Sequence, residues 1–388
     1  MNELEVMSQF FKTEVIPYTY DGNALSRLIS FPNVFVEKPL FENNSRRLRR
    51  ADFRRVFFSR DCFFFLKEFI FNRAFLSKEK TISFLSDSVR MLELVEHPVI
   101  KRIIETHKRE DVFYFFWGRG SYLFVPLLRK KIKAKIFLRL HGYDLYESRQ
   151  NNYIPFRRQI LKAVDFILPI SKNGSDYLIS KYPAFKNKII INRLGTLNKG
   201  RSISSEDGVL RIFSCSSLIS LKRVTLLAHA LRLLTFPVEW THIGDGPLKN
   251  ELLEVTSRFP VYIRFTLTGW KKPDEVFYFY SNSCCDLFIN VSETEGLPVS
   301  IMEAFAASIP VYATNVGGVS EIVNDTNGKL LSSEISSDVL ATIIADFNTL
   351  SYQEKKKMRE SAFETFRRDY DAFKNANALV SLFQDCAS

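Results

Sequence analysis

Cysteine is scarce in this chain of 388 residues and what there is lies scattered: Cys62, Cys215, Cys284, Cys285 and Cys386. No Cys-x-x-Cys or His-x-x-Cys spacing occurs, which argues against a structural zinc site. An odd, scattered set suits reduced thiols in the cytosol better than a disulfide framework. A long apolar run is also missing, since nothing approaches the ~20 residues that a membrane-spanning helix requires. Glu3 and Glu5 stand where a secretory leader would carry basic and then apolar residues, so no signal peptide is expected. Any membrane contact should then be peripheral. No internal repeat and no low-complexity tract is visible.

What is present is ordinary for a globular protein, with 46% hydrophobic and 25% charged residues, and this excludes wholesale disorder. The length allows two α/β domains. The 36 Phe and 15 Tyr can fill large cores or cover an apolar surface. The net charge of +11 is uneven. Residues 1–200 hold 36 Lys and Arg against 20 Asp and Glu (+16), and the remainder holds 18 against 23 (−5). A basic half joined to a mildly acidic one suggests that the first half faces an anionic partner.

From about residue 110 onward, strand-like and helix-like segments alternate with short loops. That pattern means parallel sheet and right-handed crossovers. In the first half we read strands at 111–116, 135–140, 165–169 and 188–192. Helices fall at 122–131, 156–163 and 171–181, the last with Ser171 as a cap. In the second half, strands fall at 209–215, 238–243, 261–267, 286–291 and 309–313. Helices fall at 222–234, 248–258, 273–281 and 298–307, with a helical turn at 319–323.

The richest local feature is the segment Ser292-Glu293-Thr294-Glu295-Gly296-Leu297-Pro298-Val299-Ser300-Ile301-Met302-Glu303-Ala304. A strand runs into a small-residue loop and then into a helix with Pro298 in its first turn. Ligands of parallel α/β sheets bind beyond the carboxyl ends of strands. A helix start there offers free N–H groups and a positive dipole to phosphate. Glu303, inside the helix, could accept hydrogen bonds from two vicinal hydroxyls, and Glu295, in the loop, could reach a sugar. Taken alone, two glutamates eight apart are common, and acidic residues early in a helix stabilise it anyway.

The wider pattern changes that balance. Glu295-Gly296-Leu297-Pro298, Glu303-Ala304, Ile309-Pro310-Val311, Gly317-Gly318, Glu321-Ile322-Val323 and Asn327-Gly328 together resemble the signature block of family 4 glycosyltransferases. Ser214–Arg223 resembles the first strand and loop of that family's donor domain, and Ile243-Gly244-Asp245-Gly246-Pro247-Leu248 its glycine-rich turn. Thr268-Gly269-Trp270 resembles the loop beside the base. Arg139-Leu140-His141-Gly142-Tyr143-Asp144 resembles the acceptor-domain loop that carries a histidine. The likeness is convincing over roughly 110–331. It implies an α/β protein of the GT-B class, with two Rossmann-like domains whose parallel sheets face across a cleft. The implied enzyme is a retaining hexosyltransferase that uses a UDP- or GDP-linked sugar and needs no metal or other cofactor.

By the same resemblance, Glu303 would bind the donor ribose, Glu295 the transferred sugar, and the Gly296, Leu297 and Pro298 backbone the diphosphate. Lys222 would sit on that diphosphate, His141 near the reacting centre, and Gly244, Gly246 and Trp270 around the nucleotide. Two departures stand out. The family's usual arginine ahead of the lysine is replaced by Ser216 and Ser217, which leaves Arg223 as the candidate substitute. The chain also opens on what reads as a helix, Asn2–Phe11, where the family has an apolar strand and a glycine loop, so a first strand is expected to be missing.

The implied organisation is an acceptor domain over 1–197, a linker over 198–208, a donor domain over 209–350, and C-terminal helices over 351–388 that pack back toward the first domain. The expected partners are a nucleotide sugar and a glycan or lipid-linked acceptor of surface polysaccharide synthesis. The expected location is the cytoplasm, with attachment to the inner face of the cell membrane. The stretch from 45 to 75 interleaves Arg46, Arg47, Arg49, Arg50, Arg54, Arg55 and Arg60 with Phe53, Phe57, Phe58, Phe63, Phe64, Phe65, Phe69, Phe71 and Phe75. It reads as a solvated basic face over a Phe core or as a surface for anionic membrane. Nucleic acid is not expected, since no recognised binding motif accompanies it. The competing functions are a GT-B epimerase or phosphorylase and a non-catalytic relative that only binds nucleotide sugar. No lysine stands in a fitting context for pyridoxal phosphate, which counts against a phosphorylase.

Overall fold

The computed structural model describes residues 2–19, 31–41, 50–118 and 120–387. Arg46, Arg47 and Arg49 of the basic run lie outside the described residues, as do the side chains of Arg50 and Phe53. The chain forms two compact units, one of residues 1–192 with 376–388, the other of residues 193–375.

In the first unit, the opening helix Asn2–Phe10 leads into β1 (Thr13–Val15), which pairs in parallel with β2 (Val34–Val36). A helical stretch follows, made of Arg50–Phe57, Cys62–Phe71, Lys78–Glu96 and Pro98–Thr106. Then come β3 (Val112–Phe115), β4 (Lys135–Leu140) and β5 (Phe166–Pro169), a parallel sheet in that order. The sheet is buried on both sides, as parallel sheets are, and β4 shows why its sequence is nearly all apolar. Ile136, Leu138 and Leu140 point into the large core, which also takes in Phe65, Phe84 and Phe156. Phe137 points the other way, into a smaller cluster with Met7 of the opening helix and Leu379 and Phe383 of the last helix, Ala372–Ala387. Arg139 shares that second face, fully buried and ion-paired with Glu3.

Two expectations need correction here. The single helix read over 122–131 is broken into Ser121–Phe124, Val125–Leu128 and Arg129–Lys131. Pro126 has no N–H to give and its ring crowds the preceding turn, so one continuous helix cannot form. The strand read over 188–192 is reduced to one bridge, Ile167 to Ile189. Ile190 and Asn192 donate to the carbonyls of Ile167 and Pro169, both at 3.0 Å, but Pro169 lacks the N–H that would extend the ladder in return.

In the second unit, β6 (Leu210–Cys215), β7 (Val238–Ile243), β8 (Ile263–Leu267), β9 (Leu287–Asn290), β10 (Val311–Thr314) and β11 (Gly328–Leu331) form one parallel sheet in the order β11-β10-β9-β6-β7-β8. This is the doubly wound order. Its direction reverses between β6 and β9, where such sheets open a crevice at their carboxyl ends. The boundary differs from the one expected. Residues 198–208 are packed onto this unit rather than strung between domains. The Ser205 N–H and hydroxyl both donate to Asp286, at 2.8 and 2.6 Å, and Ser202 N–H donates to Ala307 O at 2.9 Å. The helix Tyr352–Thr365, expected to pack back toward the first domain, also belongs here. Its Arg359 donates to Cys285 O at 2.6 Å and to Ser202 O. Only the stretch from Ala376 onward belongs to the first unit.

Candidate functional site

The crevice at the switch point of the second sheet holds a small cavity that opens to solvent. Ser214 to Ser216 line it from the end of β6, Ile289 to Ser292 from the end of β9, and Lys222 stands at its side. Lys222 closes a short turn, Ser220–Lys222, and Arg223 (φ +47°) breaks the chain direction before the helix Val224–Leu231 begins. That break turns Lys222 off the helix axis, and its ammonium meets Glu295 Oε1 at 2.6 Å. Glu293 N–H donates to Leu221 O at 2.8 Å, so the two loops are also joined through backbone.

Glu295 is only 9% exposed. Besides Lys222 it accepts from Asn290 Nδ2 at 3.2 Å, and Asn290 Oδ1 in turn accepts from Ser292 N–H at 3.0 Å. Its loop is clamped from outside by Gly317-Gly318. Gly318 N–H donates to Gly296 O at 2.8 Å. A Cβ on Gly317 would come within 2.0 Å of Glu295 O, and its φ of +57° is one that residues with a side chain rarely adopt. Leu297 and Pro298 are buried behind Gly296, and the helix Val299–Ala306 starts directly after Pro298. Glu303, one turn from the end of that helix, is mostly buried, and burial pushes its carboxyl up to about 7.

The glycine-rich turn after β7 sits against the loop after β6. A Cβ on Gly244 would lie 1.9 Å from Ser216 O, and one on Gly246 2.6 Å from Leu218 O, so only glycine lets the two backbones approach this closely. Below them runs a buried chain of hydrogen bonds. Trp240 Nε1 donates to Ser214 Oγ (2.9 Å), Ser214 Oγ meets His242 Nδ1 (2.8 Å), and His242 Nε2 meets Ser216 O (3.1 Å). A carbonyl only accepts, so His242 is the neutral tautomer protonated at Nε2, and burial holds its pKa down to about 4. Ser217 is exposed at the rim. Trp270 is 62% exposed and follows Gly269, whose carbonyl accepts from Gly244 N–H at 3.0 Å.

Arg223, the candidate substitute for the missing arginine, is engaged elsewhere. Its Nε and Nη1 donate to the carbonyls of Val291 and Ser333, both at 2.7 Å, so it ties β9 to the loop after β11. Among the described residues, no group of three or more His, Cys, Asp and Glu could hold a metal ion.

In the first unit His141 follows β4. It is buried, lies tilted against Trp117 with ring centroids 4.0 Å apart, and has Phe116 at 5.2 Å. Asp144, almost fully buried, accepts from His141 N–H at 2.5 Å and Gly118 N–H at 2.6 Å, which holds the loops after β3 and β4 together. The imidazole Nδ1 lies 3.6 Å from Asp144 Oδ2.

The structure therefore brings Lys222, Glu295 and residues 296–298 into one constellation, and gathers Gly244, Gly246 and Trp270 at neighbouring loops. Sequence reasoning missed Asn290, Trp117 and the Trp240–Ser214–His242 chain. Asn290 left a faint signal, as the one polar residue at the carboxyl end of the apolar strand Leu287–Asn290.

Residues 199–365 match the family Glycosyl transferases group 1. WcaL of Escherichia coli K12, a candidate colanic acid biosynthesis glycosyltransferase, is 28% identical over 296 residues, 72% of each chain. The amylovoran biosynthesis glycosyltransferase AmsK of Erwinia amylovora is 26% identical over 253 residues, 60% of each chain. Among solved structures, the lipopolysaccharide outer core galactosyltransferase WaaB superposes with a TM-score of 0.60 at 19% identity, covering 78% of this chain and 82% of that one. HepE of Anabaena, in complex with UDP and glucose, gives 0.59 at 18% identity, covering 75% and 82%. The fold is that of the GT-B glycosyltransferases. The chain is a glycosyltransferase, similar over residues 199–365 to glycosyl transferases group 1.

Proposed function

We propose that this glycosyltransferase moves a hexose from a nucleoside diphosphate sugar to a glycan acceptor, with retention at the anomeric carbon, in the assembly of a surface polysaccharide. The observation that carries the reading is the paired Lys222 and Glu295 beside the switch-point cavity, at the head of the helix that bears Glu303. A departing nucleoside diphosphate gains negative charge as the glycosidic bond breaks. Lys222 and the N–H groups from Gly296 onward are placed for charge growing at that spot, the kind of arrangement that contributes most to such reactions. With the donor bound, Lys222 leaves Glu295 for the diphosphate, and Glu295 turns its freed oxygen to the sugar. Glu303 accepts from the ribose hydroxyls, Trp270 lies against the base with Gly244 and Gly246 beneath, and His141 serves the acceptor side. Colanic acid and amylovoran synthesis, the processes named for the relatives, support the polysaccharide part.

We further read the acceptor as lipid-linked and the site of action as the inner face of the cell membrane, supported by the +16 charge of residues 1–200. The test is incubation with a panel of UDP- and GDP-sugars, following sugar release and the anomer first formed. Slow hydrolysis of one donor with the α configuration kept supports a retaining transferase. Binding without release in every case points to the non-catalytic relative instead.

A further inference from the structure

The helix Cys62–Phe71 is apolar except for Lys67 and Glu68, yet the first unit covers only one side of it. Phe65 and Glu68 are buried, and Phe64 and Phe69 pack against the same core. The opposite stripe, Phe63, Leu66 and Ile70 at helical spacing, faces outward with 82%, 40% and 53% exposure. Its neighbours extend the same surface. Phe58 is 86% exposed, Phe71 75% and Leu76 67%. Half-buried Phe69 joins Phe57 and Phe75, with ring centroids 6.2 and 6.0 Å apart. Soluble surfaces rarely carry so many exposed large apolar side chains in one short stretch without a partner.

The charges around the patch indicate what the partner is. Arg54, Arg60, Lys67, Arg73 and Lys78 are all exposed, whereas Asp61 is half-buried and Glu68 buried; the exposed acids at the edge are Glu79, beside Lys78, and Glu96, paired with Arg55. Lys67 Nζ lies over the Phe71 ring at 5.7 Å, with its stem along apolar surface and its charge outward. A protein groove would be matched by a rim of mixed sign. A predominantly basic rim around protruding phenyl rings matches anionic headgroups above acyl chains.

We propose that the outward face of residues 57–76 inserts into the headgroup region of an anionic lipid bilayer, with Phe58, Phe63 and Phe71 reaching the acyl boundary and Arg60, Lys67 and Arg73 on the lipid phosphates. This wedge rests on the membrane part of the proposed function and stands apart from the transfer chemistry. Full-length protein is mixed with vesicles of phosphatidylcholine, with or without phosphatidylglycerol, and sedimented. Binding is expected to vesicles that contain phosphatidylglycerol and to weaken as salt rises from about 0.1 to about 0.5 M. The triple variant Phe58→Ser/Phe63→Ser/Phe71→Ser should bind roughly a hundredfold more weakly. The variant Arg60→Glu/Lys67→Glu/Arg73→Glu should lose the preference for anionic lipid.

In a Phe63→Trp variant, emission should shift to the blue on these vesicles and be quenched by brominated lipid, which reads insertion without disturbing the surface charge. Unchanged binding of the triple Phe variant, or unmoved Trp emission, overturns the wedge and leaves only long-range attraction by the basic unit. Failure of the wild type to bind any vesicle overturns both. A dimer that the Phe substitutions convert to monomer shows that a second copy covers the patch, and also overturns it. Donor hydrolysis measured in parallel should be the same for all variants in the absence of lipid. Its absence throughout would sink the transfer reading while leaving a positive vesicle result intact.

Discussion

The two units fix the loops at their strand ends by different physical means. In the second unit the loops are held by closeness of backbone. Gly317 and Gly244 each stand where a methyl group would fall within about 2 Å of a carbonyl oxygen, and the charged side chains Lys222 and Glu295 are left to hold each other. In the first unit one buried carboxylate does this work. Asp144 accepts the N–H groups of Gly118 and His141, and aromatic rings position the imidazole. A loop held by glycine fit tolerates no added volume and leaves its charged side chain to pair with a lysine from a neighbouring loop. A loop held by a buried acid depends on one acceptor.

The contrast breaks most sharply at Lys222. Free to leave Glu295 for a diphosphate, it should carry much of the leaving-group stabilisation. Lys222→Ala should slow turnover by on the order of 10²–10³, about 3–4 kcal/mol in the barrier, with the melting temperature little changed. If kcat survives while stability falls, the ion pair is structural and the difference between the units disappears.

Next in size is Gly317→Ala. It forces a Cβ toward Glu295 O at a φ that favours glycine, and should cost about 3 kcal/mol, read as faster hydrogen exchange confined to the second unit. Gly208→Ala is the control. Its φ is +79° but nothing lies within 4 Å of the new methyl, so only the backbone term, about 1 kcal/mol, should appear. Equal effects at the two positions would mean that fit at the 295 loop contributes nothing.

In the first unit, Asp144→Ala leaves two buried N–H groups without an acceptor and should cost about 2–3 kcal/mol, with hydrogen exchange rising at 118 and 141. Asp144→Asn retains one carbonyl oxygen and should recover part of this. Full stability of the Ala variant would show that the rings of Trp117 and Phe116 suffice.

The same contrast explains what the sequence could reveal. The second unit was legible almost element by element, because each β–α step pairs an apolar run with a glycine turn whose spacing is fixed by backbone geometry. The run 238–243 is a strand as read, and 286–291 and 298–307 hold β9 and the helix Val299–Ala306 within a residue or two. The signature from Glu295 to Gly318 was visible because glycine and proline report backbone constraints directly. The first unit was less legible because its constraints are tertiary. Nothing in the sequence near Asp144 says that Gly118, twenty-six positions away, will donate to it, or that Trp117 will pack against His141. Pro126 and Pro169 could have warned of the broken helix and the curtailed strand. The linker over 198–208 was misread because polar, glycine-containing composition looks alike whether solvated or hydrogen-bonded to Asp286.

The smallest effect expected is a pH dependence that separates Glu303 from Glu295, two carboxylates of one signature in different surroundings. Glu295 has Lys222 and Asn290 as donors, whereas burial dominates Glu303 and raises it from 4.5 to about 7. A folded-state value above the unfolded one means that the folded protein holds the extra proton between these limits. Glu303 therefore favours folding fully below about 4.5, and this contribution is lost as pH rises through about 7. Glu303→Gln, which cannot ionise, should remove that loss, so the gap in stability between variant and wild type should widen from pH 5 to pH 8 by about 1–3 kcal/mol. Nucleotide binding should run the opposite way. Ribose hydroxyls donate best to the ionised carboxylate, so wild-type affinity for UDP or GDP should rise several-fold across pH 7. The Gln variant should bind more weakly and without that rise. A wild-type affinity flat from pH 6 to pH 8 would remove Glu303 from the nucleotide, and with it the asymmetry between the two glutamates.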